Sequence, residues 1–421
     1  MRIQRSLAPA AAPIAFHDLL HGLAGLFGRE RTIRRVELEI QEFFGVKHVF
    51  LVCSGKAALL LILVALKSLS NRKQVLIPAY TCFSVPSAIV KAGLTVSCCD
   101  IDPQSLDLDY RHLEDALNDD TLCIVPTHLL GLPSNVDRVK TLCEGKGIFV
   151  VEDAAQAMGM RHNNRLAGTF GDVSFFSLGR GKNITCGSGG IILTNSDSIA
   201  QAIRAEYQNL IPESPSGILR NFWEVLAMRL LIDPRLYWLP AGLPFLGLGE
   251  TKFYRDFPVH RMDGIRAGLL SSWKQRLSES SSSHSKAAAD FHDHLPRSCQ
   301  VVAPVSEANG IYNRLPLMMN SKSAKDELCT ASKTSGLGIS PFYPSSIPDI
   351  PELKGRFVSG QFPAAARVVH YLVTLPVHQF VRSKDVKRIC RLIGQLDVSG
   401  DRTGMSSNNQ NLVNESAEVQ A

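Results

Sequence analysis

The segment IFVVEDAAQ, residues 148–156, decides the fold. Its first four residues are apolar and run into Glu152 and Asp153, which is the pattern of a buried strand that stops at a polar edge. A second apolar segment, VSFFS at residues 173–177, is followed by Lys182 and the turn GSGG at residues 187–190. In an open α/β sheet, ligands bind at the edge where the carboxyl ends of the strands lie. The sequence therefore predicts that an acid, a hydroxyl and a lysine meet at such an edge.

These groups fit the chemistry of pyridoxal phosphate (PLP). That cofactor needs a lysine for a Schiff base, an acid facing the pyridine nitrogen and donors for its phosphate. Lys182 and Asp153 match the first two needs, and Gln156 is placed to contact the ring. Ser177 and the turn Ser54-Gly55-Lys56, which opens a predicted helix, match the third. We therefore expect PLP as the cofactor.

Ordinary structural roles compete with this interpretation. A lysine is most often a solvated surface group, and an aspartate after a strand often caps a helix. Lys182 lies between an apolar strand and a glycine turn, which favours a confined site where desolvation lowers its pKa. A single glycine turn, such as residues 54–56 or 187–190, is weak evidence by itself. The cofactor site is favoured because the turns, the acid and the lysine occur together in this order.

Apolar segments that alternate with helical segments predict an α/β fold. Nearly continuous apolar strands of this kind are typical of a mostly parallel sheet with helices on both faces. The predicted strands are residues 48–53, 75–79, 95–100, 122–127, 147–152, 173–177 and 190–194.

A chain of 421 residues is long enough for two domains with appendages. We expect an N-terminal helical arm over residues 1–44 and a large PLP-binding domain over residues 45–205. An insertion rich in aromatic residues and proline follows over residues 206–258, and a smaller C-terminal α+β domain covers residues 259–397. The tail, residues 398–421, is polar and aperiodic, which predicts disorder.

Composition narrows the classes of function. The formal net charge of +6 is spread along the chain without a dense Lys/Arg block, so no nucleic-acid partner is expected. None of the ten cysteines forms a CxxC pair, and the N-terminus lacks the apolar core of a signal peptide. Reduced thiols in a cytoplasmic protein fit this pattern best, and no metal site is expected.

The insertion has two candidate roles. Aromatic residues such as Trp223 and Trp238 alternate with prolines, while Glu224, Arg229 and Asp233 exclude a bilayer span. The first role, which we favour, is packing on a partner subunit or covering the site. The second is peripheral contact with a membrane surface.

Nine segments resemble the DegT–DnrJ–StrS family of PLP-dependent sugar aminotransferases, a branch of the fold type I enzymes. They are SGKAAL (54–59), PAYTCFS (78–84), CCDID (98–102), PTHLLGLP (126–133), VEDAAQAMG (151–159), LAGTFGDVSFFSLGRGKNITCGSGG (166–190), HRM (260–262), FYPSSI (342–347) and TLPVH (374–378). The resemblance covers about residues 45–395, apart from the insertion. It implies a fold type I architecture, with a large domain built on a seven-stranded sheet and a smaller C-terminal domain.

The resemblance also implies roles for single residues. Lys182 matches the family's Schiff-base lysine, Asp153 its pyridine-nitrogen acid and Gln156 its ring-contacting glutamine. Ser177 matches the phosphate-binding serine, and Gly55-Lys56 occupies the phosphate-loop pair. Family members are homodimers with sites at the subunit interface, and they commonly move an amino group from glutamate to a nucleotide-linked keto sugar in glycan biosynthesis.

Some positions depart from the family pattern. Cys82 stands where many relatives carry an aromatic that stacks on the cofactor, Val259 replaces the asparagine of an Asn-x-Arg-Met motif, and Pro348 falls where relatives often have a substrate-facing histidine. These departures keep two alternatives open, a non-catalytic or regulatory PLP-fold protein and a PLP-dependent sugar dehydratase. Dehydratase relatives carry histidine at the lysine position, so Lys182 favours amino transfer.

His128 and Tyr343 are candidate substrate residues. His128 follows a predicted strand, where a substrate-facing role and a hydrogen-bonded structural role are equally compatible with the sequence. Tyr343 lies in the FYPSSI segment and is expected near the substrate, without an assigned role.

Overall fold

The structure is a computed structural model that describes residues 5–303, 311–354, 357 and 360–396. The predicted disordered tail over residues 398–421 lies outside these residues, and that prediction stays untested.

The strands of the described residues form a large sheet, a small sheet and a hairpin. In chain order they are β1 (His48–Val52), β2 (Gln74–Pro78), β3 (Thr95–Cys99), β4 (Thr121–Ile124), β5 (Phe149–Asp153), β6 (Arg161–His162), β7 (Arg165–Leu166), β8 (Val173–Ser177), β9 (Gly190–Thr194), β10 (Gln300–Val301), β11 (Leu315–Met318) and β12 (Leu372–Leu375).

The large sheet has seven strands in the order β1-β9-β8-β5-β4-β2-β3. The pairs from β3 to β8 are parallel, and β9 runs antiparallel to both of its neighbours, β1 and β8. All seven strands come from the predicted segments, so the prediction of a mostly parallel seven-stranded sheet is confirmed.

Helices cover this sheet and the small one. They are α1 (Phe16–Ala24), α2 (Arg29–Phe44), α3 (Gly55–Leu69), α4 (Ser84–Lys91), α5 (Tyr110–Ala116), α6 (Val136–Cys143), α7 (Asp197–Gln208), α8 (Pro215–Leu231), α9 (Trp238–Ala241), α10 (Gly264–Gly268), α11 (Trp273–His294), α12 (Lys322–Ser335) and α13 (Pro363–Tyr371), and a last helix runs over residues 383–396.

Helix α3 is the central helix of the large core. Its sequence is apolar on nearly every side, as expected of a helix enclosed by other elements, and ten of its fifteen residues are buried. It packs on β8, β9, α4 and α7. Because this packing fixes α3, its N-terminus is held rigidly at the edge of the sheet where β8 ends.

The small sheet has the order β10-β11-β12 and is antiparallel throughout. Its residues share a second core with α11, α12 and the last helix. This α+β unit agrees with the expected fold class, while the domain boundaries given above stay predictions.

The insertion contains more regular structure than its prolines suggest. Ser214 caps α8 by accepting a hydrogen bond from the N–H of Gly217 (3.2 Å), and Pro215 occupies the first turn. Proline is well tolerated there because the first helical N–H groups have no partner in the helix. Among the described residues, no helix is both long enough and apolar enough to cross a bilayer.

Candidate active site

Asp153 and Ser177 stand at the carboxyl ends of two neighbouring strands. β5 ends at Asp153 and β8 ends at Ser177, and the strands pair in parallel with Asp153 opposite Phe175. The two polar side chains therefore share one edge of the large sheet, the position at which such sheets hold ligands.

The Asp153 carboxylate is buried and has one fixed partner. Its Oδ1 accepts a hydrogen bond from the N–H of Ala155 (3.0 Å), and the residue is 5% exposed. Burial raises the pKa of Asp153, whereas the hydrogen bond from Ala155 and the charge of Lys182 lower it. A carboxylate in this setting is stabilised further by any additional positive group that approaches it.

Lys182 lies in the loop after β8, within electrostatic reach of Asp153. Burial lowers the pKa of its ammonium group, the negative charge of Asp153 raises it, and the guanidinium of Arg314 lowers it. A lowered pKa increases the fraction of neutral amine, which is the form that attacks an aldehyde.

The turn before α3 meets Ser177 closely. A Cβ on Gly55 would lie 2.8 Å from Cβ and 3.1 Å from Oγ of Ser177, so only glycine fits there. Ser54 Oγ accepts a hydrogen bond from the N–H of Ala57 (3.2 Å), and the N–H groups at the start of a helix lack partners within the helix. The Ser177 hydroxyl and the N-terminus of α3, with its unpaired N–H groups and positive dipole end, therefore lie side by side, an arrangement that suits an anion such as a phosphate.

Lys56 directs its ammonium group away from this turn. Nζ lies 4.8 Å from the ring centroid of Phe257 and 5.1 Å from that of Tyr254, both near the end of the insertion. Burial lowers the pKa of Lys56. The backbone of Lys56 belongs to the turn before α3, and contact of this turn or of the Lys56 side chain with a phosphate stays a prediction.

Gln156 and Tyr343 are in direct contact. Gln156 Nε2 donates to the Tyr343 hydroxyl (3.2 Å), and Gln156 Oε1 accepts from the N–H of Leu130 (3.3 Å). Burial raises the pKa of Tyr343, and the charge of Asp153 acts in the same direction. Tyr343 is therefore a neutral phenol beside the Asp153 carboxylate, at the centre of the candidate site.

His128 is engaged within the protein. Its Nε2 donates to Glu152 (2.8 Å), its Nδ1 accepts from the N–H of Ser134 (2.9 Å), and the residue is 1% exposed. Glu152 also accepts from the N–H groups of residues 168, 170 and 171. With both ring nitrogens occupied, the geometry favours the structural role for His128 over the substrate-facing one.

Sequence reasoning missed Arg314, whose guanidinium influences the pKa of Lys182. It also left Tyr237 of the insertion without a role, although its hydroxyl lies within electrostatic reach of Arg314. Cys82 was noted only as a departure, and its thiol is half-buried, with Sγ 2.9 Å from the hydroxyl of Ser84. No local motif marks Arg314 or Tyr237, since only tertiary packing brings Arg314 close to the loop of Lys182 and Tyr237 close to Arg314.

The residues present fit PLP. The close approach of Gly55 to Ser177 places the Ser177 hydroxyl beside the N-terminus of α3, and both can donate hydrogen bonds to a phosphate. Asp153 offers a buried carboxylate for a positively charged ring nitrogen, and Lys182 has the lowered pKa that suits an amine bound to an aldehyde. Acid, lysine and phosphate turn thus occupy one edge of the sheet, as the sequence predicts.

Comparison with known proteins identifies a family for this chain. The sequence profile of the DegT/DnrJ/EryC1/StrS aminotransferase family matches residues 23–222 and 250–394. The unmatched stretch between them, residues 223–249, lies within the insertion.

Two curated relatives illustrate the similarity. The GDP-perosamine synthase of Vibrio cholerae is 33% identical over 184 residues, which are 44% of this chain and 50% of that protein. The UDP-N-acetyl-3-dehydro-alpha-D-glucosamine 3-aminotransferase of Acidithiobacillus ferrooxidans is 25% identical over 366 residues, 86% of this chain and 87% of that protein.

The fold also matches solved structures. Helicobacter pylori PseC, described as an aminotransferase of pseudoaminic acid biosynthesis, superposes with a TM-score of 0.76 at 18% identity. The superposition covers 94% of this chain and all of that one. At this identity the likeness establishes the fold type I architecture, which confirms the expected fold.

Proposed function

The chain belongs to the DegT/DnrJ/EryC1/StrS aminotransferase family, and from that membership we propose that it moves an amino group from glutamate to a nucleotide-linked keto sugar. Because the family depends on PLP, the chain is a PLP-dependent aminotransferase. The observation that carries the proposal is that Asp153, Ser177 and the turn before α3 meet at one edge of the large sheet, with Lys182 in the loop that follows β8.

When bound, PLP supplies an aldehyde that takes up the amino group and a ring that withdraws electrons from the reacting carbon. Asp153 would accept a hydrogen bond from the protonated ring nitrogen and thereby keep that nitrogen positive. Nζ of Lys182, whose pKa burial lowers, would accept the proton from the α-carbon of the donor and later return it. Both roles use groups that are already desolvated, so little reorganisation is needed.

The remaining site residues would bind the cofactor and orient its ring. Ser177, Gly55 and Ser54 form the turn that would bind the phosphate, by a hydroxyl and by backbone N–H groups. Gln156 and Tyr343, joined by their 3.2 Å hydrogen bond, would flank the ring. The buried Glu152–His128 pair fixes the end of β5 beneath Asp153.

The nature of the acceptor is supported by the relatives. The Vibrio cholerae protein is named for a GDP-linked sugar and the Acidithiobacillus ferrooxidans protein for a UDP-linked one. A nucleotide-linked keto sugar used in polysaccharide biosynthesis is therefore the substrate class we propose for this chain.

Nitrogen transfer can be measured directly. The purified protein is incubated with ¹⁵N-labelled glutamate and a panel of GDP-, UDP- and TDP-linked keto sugars, and the sugar products are analysed by mass spectrometry. We expect ¹⁵N in one sugar product and an equal amount of 2-oxoglutarate, following ping-pong kinetics.

Two other outcomes contradict the proposal. Loss of a hydroxyl from the sugar without incorporation of ¹⁵N identifies a dehydratase. Absence of any product, with no PLP absorption in the purified protein, identifies a non-catalytic member of the fold.

We also propose a cytoplasmic homodimer. All ten cysteines are free thiols, which suits a reducing compartment. On α1, Phe16 is 66% exposed and Leu20 is 53% exposed. Large apolar side chains grouped on one exposed helix face are typical of a protein–protein interface. Light scattering should give twice the 46.1 kDa mass of one chain, and a monomer mass would contradict the dimer.

Peripheral membrane contact by residues 206–258 remains the second role for the insertion. Trp223 is 59% exposed and Phe245 is 81% exposed, and Arg220 and Arg235 are exposed in the same segment. Co-sedimentation with anionic vesicles that is lost in Trp223→Ser supports membrane contact. Absence of co-sedimentation favours subunit packing.

A further inference from the structure

A cavity of about 350 Å³ adjoins the loop that carries Lys182. Asn183, the residue after the lysine, lines one wall. The other walls come mainly from residues 12–15 of the N-terminal arm, from the end of α8 with the residues that follow it, and from α11. None of the residues assigned to the candidate active site lines this cavity, so it is a separate space. Its volume is within the range of sites that hold small molecules.

The residues around this cavity carry polar atoms that the protein leaves unpaired. Among the described residues, seven buried side-chain nitrogen and oxygen atoms lack a hydrogen-bond partner, and four of them belong to residues that line this cavity. They are Nδ2 and Oδ1 of Asn183, Nε of Arg229 and Nε of Arg276. Because buried polar groups are normally hydrogen-bonded, this concentration indicates a polar occupant.

Asn183 determines which groups that occupant must offer. The residue is 2% exposed, and neither atom of its side-chain amide has a partner among the described residues. An amide is a hydrogen-bond donor through its nitrogen and an acceptor through its oxygen. An occupant that satisfies Asn183 therefore needs both an acceptor and a donor.

The cavity wall also carries charges of both signs. Within the part of the chain that the structure describes, neither the half-buried Arg229 nor the carboxylates of Asp233 and Glu279 form an ion pair. Arg276 differs, because its Nη1 lies 3.5 Å from a carboxylate oxygen of Asp18. A ligand with charge of one sign would leave the opposite wall charge uncompensated, whereas a zwitterion compensates both.

We propose that this cavity binds a free α-amino acid, with its carboxylate on Arg229 and Asn183 and its ammonium group facing Asp233 and Glu279. Guanidinium and carboxylate pair well because two parallel N–H groups match two oxygens. Arg229 and Asp233 lie in the stretch 223–249 that the family profile does not match, so the insertion of this chain supplies this wall. The inference goes beyond the proposed reaction and does not depend on it.

The test measures by calorimetry how each of the standard L-amino acids binds to the purified protein. The protein is first treated with borohydride, which fixes PLP to its lysine, so that the amine of the probe cannot react with the cofactor. Arg229→Gln and Arg229→Lys are compared with Arg220→Gln, an exposed arginine on the same helix that serves as the control. A circular dichroism spectrum equal to that of the wild type shows that each variant is folded.

At least one amino acid is expected to bind, and Arg229→Gln should raise its Kd by about tenfold or more, as for loss of a charged hydrogen-bond donor. Arg220→Gln should leave this Kd unchanged, and Arg229→Lys should recover part of the affinity. Acetate, which offers a carboxylate without an amine, should bind more weakly than the amino acid. If Arg229→Gln fails to fold, Asp233→Asn serves instead, with a rise of similar size expected.

Binding of no amino acid would overturn the inference. An equal Kd in Arg229→Gln and the wild type would also overturn it, because the amino acid would then bind elsewhere. Acetate binding as tight as that of the amino acid would reject the zwitterion as the ligand class. The proposed function fails separately. If the wild-type protein transfers no nitrogen but binds an amino acid through Arg229, the cavity site stands and the assigned reaction is wrong.

Discussion

Two adjacent acids on one strand show how residue position sets chemical role. Glu152 and Asp153 point to opposite faces of the sheet, because side chains alternate along a strand. Hydrogen bonds from His128 and from backbone N–H groups lower the pKa of Glu152 despite its burial. Asp153 has a single backbone donor, and burial raises its pKa. Glu152 therefore accepts its hydrogen bonds from the protein itself, whereas Asp153 keeps free acceptor capacity for a ligand.

At the same scale, Gly55 tests the phosphate turn. Gly55→Ala places a methyl group 2.8 Å from Cβ of Ser177, closer than van der Waals contact allows, so Ser177 and the start of α3 must separate. We expect PLP to bind about tenfold more weakly, the effect of one lost charge-assisted hydrogen bond. Fluorescence titration of the PLP-free protein measures this Kd.

The control for that variant is Gly28→Ala. Gly28 has ordinary φ, and a Cβ there would meet no atom closer than 3.8 Å, so PLP affinity should be unchanged. Equal affinities of the two variants for PLP would place the phosphate elsewhere.

At the scale of elements, the sequence predicts strands better than helices bounded by proline. Each of the seven sheet strands overlaps its predicted segment, because continuous apolar runs have few alternatives. In the insertion, prolines were interpreted as interruptions, yet Pro215 begins α8. The serine-rich stretch 278–283 has low helix propensity, yet α11 continues through it because residues beyond, such as Phe291, pack in the small core.

Two buried histidines in these elements make the fold less stable as the pH falls. Burial lowers the pKa of His284 on α11 and of His378 after β12 to about 4 each. His378 Nε2 donates to the carbonyl of Ala8 (2.8 Å), which fastens the N-terminal arm to the small sheet. Between pH 4 and the ordinary histidine pKa, the unfolded chain binds more protons than the folded one, so the free energy of unfolding falls as pH falls.

We expect each histidine to cost about 1.6 kcal/mol of stability between pH 6.5 and pH 5. Urea unfolding at several pH values measures this slope. His284→Phe removes one titrating group and should flatten the slope, whereas a slope equal to that of the wild type would show that His284 does not titrate with unfolding.

At the scale of the whole molecule, the large and small sheets together build the site. Lys182, Asp153, Ser177 and Gly55 belong to the large sheet and its helices, and all four were predicted from strand ends and glycine turns. Arg314 escaped prediction because it adjoins Lys182 only through the packing of the small sheet, tied by Asn313 to Gly181. Patterns local in sequence reveal strand ends, and they do not reveal contacts between residues far apart in the chain.

The most direct test of the account is to locate the lysine that carries PLP. The purified protein is treated with borohydride, which fixes PLP to its lysine as a stable secondary amine, and digested for peptide mass spectrometry. The account predicts the pyridoxyl phosphate adduct on Nζ of Lys182 and loss of the visible PLP band in Lys182→Ala, with both intact in the exposed-site control Lys146→Ala. An adduct on another lysine, or a Lys182→Ala protein with an unchanged spectrum, would contradict it.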